Sequence, residues 1–328
     1  MTTSRSPQSP RLPLSMKAAR IHQYGDASAI RYEDVPLPAP AAGEVLVRVA
    51  ATAFNPTETA LRAGLLHGFL PVDLPFTLGW DVAGVVTEVG PGVRDFAIGD
   101  RVVGRLDGGA GAAYVAAPAR LLAAAPTSVP LAHAAALPVA GLTAWQAVFE
   151  HGRVKEGQRV LVNGAGGGVG GFATQLAAHA GADVTATASA RSAAAVRRQG
   201  ARRILDYTTT PLAEGLPSPV DLLLNLVPVT TKEAAKLPAL VRPGGHIVSI
   251  ATPIPPDPVR SVTSQHMVAR NDVSQLEELI ALVDGGAVTL DITETRPLEE
   301  LADVHRSSES GGVRGKVLLV PGGDSFTG

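Results

Sequence analysis

The sequence predicts an α/β chain in which a doubly wound parallel sheet is inserted into a β-rich domain built from both chain ends. Two observations predict it. Between about 134 and 250 helical spacing alternates with near-continuous apolar strands, the pattern of strands buried on both faces. On either side of that region, short alternating runs are broken by Pro and Gly, the pattern of a turn-rich antiparallel domain.

Taken in order, residues 1–15 are rich in Ser, Pro and Arg without periodicity and predict a disordered tail. From Met16 to about Pro126, runs such as Glu44-Val-Leu-Val-Arg-Val-Ala and Asp81-Val-Ala-Gly-Val-Val-Thr-Glu-Val predict short strands. In the central region, strands fall at Arg159 to Val162, Asp183 to Ala188, Arg203 to Asp206, Asp221 to Leu226 and His246 to Ile250, with a helix over Phe172 to Ala180. A proline-rich loop at Thr252 to Pro258 follows, then one further strand within Val259 to Val268. Ser274 and Glu277 form a capping box for a helix that Gly285 ends. Residues 288–320 return to strands and one helix around Leu298 to His305. The division that results is 16–129 with 274–328, and 130–273 between them.

The 328 residues carry 28 basic and 30 acidic side chains, a balance that argues against a nucleic-acid partner. No apolar run approaches the roughly 20 residues needed to span a bilayer, and the first residues lack a secretory apolar core, so a cytoplasmic protein without a membrane partner is expected. With no cysteine, thiol chemistry and thiolate-ligated metal are excluded.

The most informative segment is Arg159-Val-Leu-Val-Asn-Gly-Ala-Gly-Gly-Gly-Val-Gly-Gly-Phe-Ala, a strand that enters a glycine turn and opens a helix. Glycines let backbone approach a pyrophosphate, and N–H groups at the helix start bind its charge. The glycine cluster permits more than one register of the motif. At the end of the next strand, where an NAD site carries an acid, the chain reads Thr187-Ala-Ser-Ala-Arg. Ser189 and Arg191 suit a 2′-phosphate, since a guanidinium is an always-charged donor fork, and Tyr207, at the end of the third strand, is placed either to add a phenol donor or to stack near the adenine. NADP(H) is the expected cofactor.

Further segments carry a resemblance: Met16-Lys-Ala-Ala-Arg-Ile, Phe54-Asn-Pro-Thr-Glu-Thr, Leu78-Gly-Trp-Asp-Val-Ala-Gly, Gly141-Leu-Thr-Ala-Trp and Arg314-Gly-Lys-Val-Leu-Leu. With the glycine turn they make the chain similar to the medium-chain dehydrogenase/reductase superfamily, in its zinc-independent quinone oxidoreductase and zeta-crystallin-like branch. The resemblance implies a Rossmann domain inserted in a GroES-like catalytic domain, with the active site in the cleft. It implies cofactor contacts at Gly167, Gly168 and Val169 for the pyrophosphate, at Ser189, Arg191 and Tyr207 for the adenosine phosphate, at Asn55 and Thr143 beside the nicotinamide, and at Arg314. It also implies a homodimer formed through edge strands, with Val259 to Val268 the candidate.

Zinc-dependent relatives carry a Gly-His-Glu ligand segment where this chain has Gly79-Trp80-Asp81, and its eight histidines lack ligand spacing, so no metal is expected. Without a Lewis acid the acceptor must already be electrophilic, which points to hydride transfer onto a small hydrophobic quinone or other conjugated carbonyl. An enoyl reductase acting on an α,β-unsaturated thioester or ketone is the near alternative, and a non-catalytic NADP(H)-binding sensor the distant one. Asn55 is either beside the reacting carbonyl or carboxamide, or a turn residue ahead of Pro56. Where many relatives carry a proton-donating Tyr, this chain has Ala60. Thr59 is then the candidate catalytic hydroxyl, with Glu58, His67 or water as the other proton sources.

Overall fold

The computed structural model describes residues 12–322. The strands are β1 Ser15–Ile21, β2 Ile30–Pro36, β3 Glu44–Ala53, β4 Phe76–Thr77, β5 Asp81–Val89, β6 Arg101–Arg105, β7 Tyr114–Pro118 and β8 Leu122–Ala124 in the first part of the chain. They continue as β9 Arg159–Asn163, β10 Asp183–Thr187, β11 Arg203–Leu205, β12 Val220–Asn225, β13 Val241–Ser249 and β14 Thr263–His266, then β15 Ile292–Pro297 and β16 Lys316–Val320. The six central strands form one parallel sheet in the order β11-β10-β9-β12-β13-β14, the doubly wound order expected of a Rossmann sheet. A seven-stranded sheet, β15-β16-β3-β5-β6-β8 with β7 on β3, mixes the two chain ends, and β2-β1-β4 forms a third sheet. The insertion architecture is therefore present: β16, from the end of the chain, pairs with β3 through Leu318 and Leu319 opposite Ala53 and Thr52.

Several boundaries differ from the sequence expectation. The tail predicted over 1–15 lies outside the described residues as far as residue 11, while Ser15 already pairs with Pro36. β13 starts at Val241, five residues before its predicted start at His246. Pro243-Gly-Gly reads as a turn, yet the strand passes through it as a bulge: the register with β12 jumps from Val220 opposite Val241 to Leu222 opposite His246, and Gly244 sits at φ +73. The helix Gly168–His179 begins four residues before the predicted start at Phe172, because the glycines themselves form its first turn. The late helix is Val273–Asp284, and its cap is Asp272, whose carboxylate accepts from Gln275 N–H, in place of the Ser274 box. The last helix is Leu301–Glu309.

The largest core cluster crosses between the two halves. Ala51, Ala53 and Ala83 of the β-rich part join Val160 and Val162 of the parallel sheet and Leu176 of the helix Gly168–His179, bridged by small residues of the helix Pro138–Trp145 and by Leu276, Leu279 and Val283. Small side chains at this seam let the β9 turn and the β3–β5 end approach each other, and that approach builds the site.

Candidate active site

β9 ends at Asn163, and the glycine turn that follows enters the helix Gly168–His179 with Gly167 as N-cap and no side chain capping it. Backbone N–H groups at this helix end suit a phosphate. The cradle has the shape for one: a Cβ on Gly170 would lie 2.1 Å from Gly164 O, whereas one on Gly167 meets only Gly164 O at 3.6 Å. Gly170 therefore serves the fold of the turn, and Gly167 leaves its outer face open. Asn163 supports the turn from below, as its Oδ1 accepts from Thr187 Oγ1 at 3.0 Å and Thr187 Oγ1 accepts from Gly164 N–H at 2.8 Å.

Ser189 and Arg191 stand at the start of the helix Ala190–Arg198, directly after β10, with Ser189 as its N-cap. Arg191 is exposed and donates through Nη2 to Gly311 O at 3.1 Å, and Tyr207 is 56% exposed beyond β11. All three residues lie at the carboxyl end of the parallel sheet. Arg314 is differently placed: its Nη1 donates to Asp291 at 2.8 Å, so its head is already committed to a carboxylate. Thr143 is buried, with its hydroxyl donating to Val139 O at 2.6 Å inside its own helix.

Opposite the glycine turn lies a buried polar cluster. Asn55, at the N-cap of the helix Pro56–Arg62, is 4% exposed; its amide donates to Asp81 Oδ2 at 2.8 Å, to Ala53 O at 3.1 Å and to Glu58 Oε1 at 3.3 Å. Its Oδ1 accepts from Lys316 Nζ at 2.9 Å. The Lys316 ammonium also donates to Phe54 O at 3.1 Å and Asp81 Oδ2 at 3.4 Å. Glu58 Oε2 accepts from Gly79 N–H at 3.0 Å, and Asp81 Oδ1 accepts from Val139 N–H at 2.7 Å. Asn55 is thus a hub held from several sides. The Thr59 hydroxyl is buried without a hydrogen-bond partner among the described residues, while His67 stacks edge-on against Tyr24 and shares a 3.0 Å hydrogen bond with its phenol.

Two carboxylates share one nearby ammonium here. Burial raises the Glu58 carboxyl to about 7, helped by the Asp81 charge and opposed by Gly79 N–H, Asn55 and Lys316. Burial also raises Asp81, with Lys316, Asn55 and Val139 N–H pulling back. Asp81 has the shorter contacts and touches the ammonium, so Asp81 is the ionised member and Glu58 holds the exchangeable proton. Behind Phe54, the buried His305 ring stacks edge-on at 5.0 Å, and burial with the Arg62 charge pushes it down to about 3.

These two groups tilt stability in opposite directions. Between about 3 and 6.5 the folded state binds fewer protons at His305 than the unfolded chain, so this contribution is lost as pH falls through that window. Between 4.5 and about 7 the folded state binds more protons at Glu58, so stability falls as pH rises through that window. In urea unfolding, Glu58→Gln is expected to shrink the stability lost between about pH 5 and about pH 8 by on the order of 2 kcal/mol. An unchanged slope would mean that Glu58 titrates normally in the folded chain.

The sequence pointed to Asn55, Thr143 and the glycine turn. In the sequence Asp81 stands out only where zinc-dependent relatives carry a ligand, Glu58 only as one proton source among several, and Lys316 only inside a segment of resemblance. The fold brings Lys316 to Asn55 across 261 positions, so no local spacing signals the contact.

A parallel sheet with a glycine turn at its carboxyl end, in contact with a second, β-rich domain through Gly315 and Lys316, defines the dinucleotide-binding two-domain class. Residues 41–127 match the alcohol dehydrogenase GroES-like domain, and residues 199–319 match the family model described as zinc-binding dehydrogenase. The chain is 35% identical over 331 residues to the chloroplast envelope quinone oxidoreductase homolog of Arabidopsis thaliana, covering 93% of this chain and 98% of that one. It is 32% identical over 324 residues to the chloroplastic NADPH-dependent alkenal/one oxidoreductase of the same plant, covering 94% and 81%. Among solved structures, the Escherichia coli quinone oxidoreductase complexed with NADPH superposes with a TM-score of 0.84 at 25% identity, covering 93% of this chain and all of that one. The chain belongs to the medium-chain dehydrogenase/reductase superfamily, in its zinc-independent quinone oxidoreductase branch. Despite the name of the second family model, the chain has no cysteine, and among the described residues no group of three or more His, Asp or Glu side chains is placed to hold a metal ion.

Proposed function

We propose that this protein is an NADPH-dependent reductase of quinones or other small conjugated carbonyls. The observation that carries the reading is the pairing of an open glycine cradle and an Arg191 fork on the Rossmann side with the buried Asn55 wall on the other. Gly167, Gly168 and Val169 are the pyrophosphate contacts in this reading, and Ser189, Arg191 and Tyr207 hold the 2′-phosphate. When bound, the reduced nicotinamide supplies a hydride to the acceptor, and the conjugated system takes the charge onto oxygen. Asn55 and Thr143 shape the wall beside the reaction, and the domain division at 129/130 and 273/274 sets that wall in the cleft. Thr59 is the candidate catalytic hydroxyl, as an orphaned buried hydroxyl on the helix that Asn55 caps. Arg314, bound to Asp291, contributes to the phosphate side once that pair opens.

Leu65 and Phe69 are 79% and 70% exposed on the loop after the Thr59 helix, an apolar surface suited to a hydrophobic acceptor. No helix among the described residues is long and apolar enough to cross a membrane. The reading extends to a cytoplasmic protein and to a homodimer formed through the edge strand β14. Sedimentation velocity checks the dimer, and a species of single-chain mass would remove it.

The experiment that tests the function is NADPH oxidation by the purified chain against matched quinone, enone and enoyl-thioester panels, with NADH as control. Turnover on one class names the acceptor, and the enoyl-thioester arm identifies an enoyl reductase. Tight NADPH binding without turnover on any panel overturns the enzyme in favour of a sensor. In the same assay Arg191→Ala is expected to lower the preference for NADPH over NADH by about 10- to 100-fold, the loss of one or two charge-assisted hydrogen bonds. Its stability should hardly change, because the side chain is exposed.

A further inference from the structure

Lys316 links the two halves of the site. It follows Gly315, whose N–H donates to Gly166 O at 3.2 Å and which forms a bridge with Gly167, so β16 starts directly against the glycine turn. Its stem then crosses the turn: a Cβ on Gly168 would stand 2.7 Å from Lys316 Cδ. Its ammonium, on a residue 3% exposed, ends on Asn55 Oδ1, Phe54 O and Asp81 Oδ2. Three ammonium protons meet three acceptors, and none is left over for a substrate.

A buried ammonium is a poor device for stability alone. Removing charges from water is costly, and an apolar side chain of similar volume is often as stable. What the ammonium adds is geometry. By donating to Asn55 Oδ1 it fixes which end of that amide faces Asp81 and Glu58, and through the stem it ties that orientation to Gly168.

We propose that Lys316 is a positioning residue that sets the distance and orientation between the Asn55 wall and the pyrophosphate turn, and so aligns the conjugated acceptor with the nicotinamide across the domain cleft. This rests on the reductase reading above. Misplacement of reacting groups by about 1 Å costs on the order of 100-fold in rate, whereas binding of the distant adenosine end does not depend on that alignment.

The test uses the full chain with Lys316→Met and Lys316→Arg, and measures kcat and KM for the best acceptor together with the affinity for 2′,5′-ADP, which probes the adenosine end alone. For Lys316→Met, kcat is expected to fall at least about 30-fold, while the acceptor KM and the 2′,5′-ADP affinity stay within about 3-fold. Lys316→Arg keeps the charge, but a planar fork cannot reproduce the three-way tetrahedral contact, so kcat should remain at least about 10-fold low. A wild-type kcat in either variant overturns the proposal, as does a parallel loss of 2′,5′-ADP affinity, which would mark a merely structural lysine. If Lys316→Met does not fold, the arginine variant decides. If the wild-type chain turns over no acceptor, the reductase reading fails separately, and the proposal is read from bound NADPH fluorescence. Lys316→Arg should then lose the nicotinamide emission enhancement while 2′,5′-ADP still binds, and an unchanged enhancement overturns it.

Discussion

Gly170→Ala is expected to abolish useful cofactor binding, with NADPH affinity falling at least about 100-fold and stability by roughly 2–3 kcal/mol. The added methyl would stand 2.1 Å from Gly164 O and 2.6 Å from Ala165 Cα, both backbone atoms that no rotamer change can move. The helix Gly168–His179 would have to lift off the turn, carrying its opening N–H groups away from the phosphate position. Gly167→Ala is the control. That residue has φ −89, which any residue adopts, and the nearest atom to an added Cβ is 3.6 Å away. The fold should therefore tolerate it within about 0.5 kcal/mol, and any loss of affinity would report the approach of the phosphate itself. Thermal unfolding and NADPH titration of the two variants separate the roles. Wild-type affinity in Gly170→Ala would mean that the turn is more plastic than its contacts imply.

These two glycines show what the sequence makes legible and what it leaves hidden. A strand, a glycine cluster and a helix in that order locate the turn from local pattern alone, because each element is decided by residues within a few positions of it. The same holds for β9, β10 and β12, whose apolar runs match the observed strands to within a residue or two. Which glycine serves the backbone and which serves the ligand is not a local property: it depends on Gly164 O folding back beneath Gly170. β13 extends further than its apolar run for a related reason, since the pairing with β12 carries the strand through Pro243-Gly244-Gly245 as a bulge. The charged cluster lies furthest from sequence reasoning. Its members sit at 55, 58, 81 and 316, and only the pairing of β16 with β3 and of β3 with β5 gathers them. The available signal was negative: an Asp at position 81 in a segment where metal-binding relatives carry ligands, with a Lys in the chain's last strand able to balance it.

That balance sets the second large expectation. Asp81→Ala should destabilise the chain by about 3–5 kcal/mol, the range for breaking a buried ion pair from one side. Three groups lose their acceptor together: the Lys316 ammonium, the Asn55 amide and the Val139 N–H. Val139 lies in the first turn of the helix Pro138–Trp145, where a carboxylate also suits the helix dipole, so the helix that carries Thr143 loses its tie to β5. Asp81→Asn should cost about half as much. The amide oxygen still accepts from one of these donors, and removing the Asp81 charge removes one of the forces that raise Glu58, leaving that carboxylate free to ionise and serve as counter-charge to Lys316. The proton held at Glu58 in the wild type would then be released at lower pH, and the fall in stability with rising pH would start at the same pH, set by the unfolded carboxyl, but end earlier and be smaller in total. Urea unfolding of both variants at about pH 6 and about pH 8 reads this directly. Equal losses in the two, with identical pH dependence, would mean that Glu58 and Asp81 do not share a charge balance around Lys316. An Asn variant that loses less and flattens the pH slope would place the exchangeable proton of this cluster on Glu58.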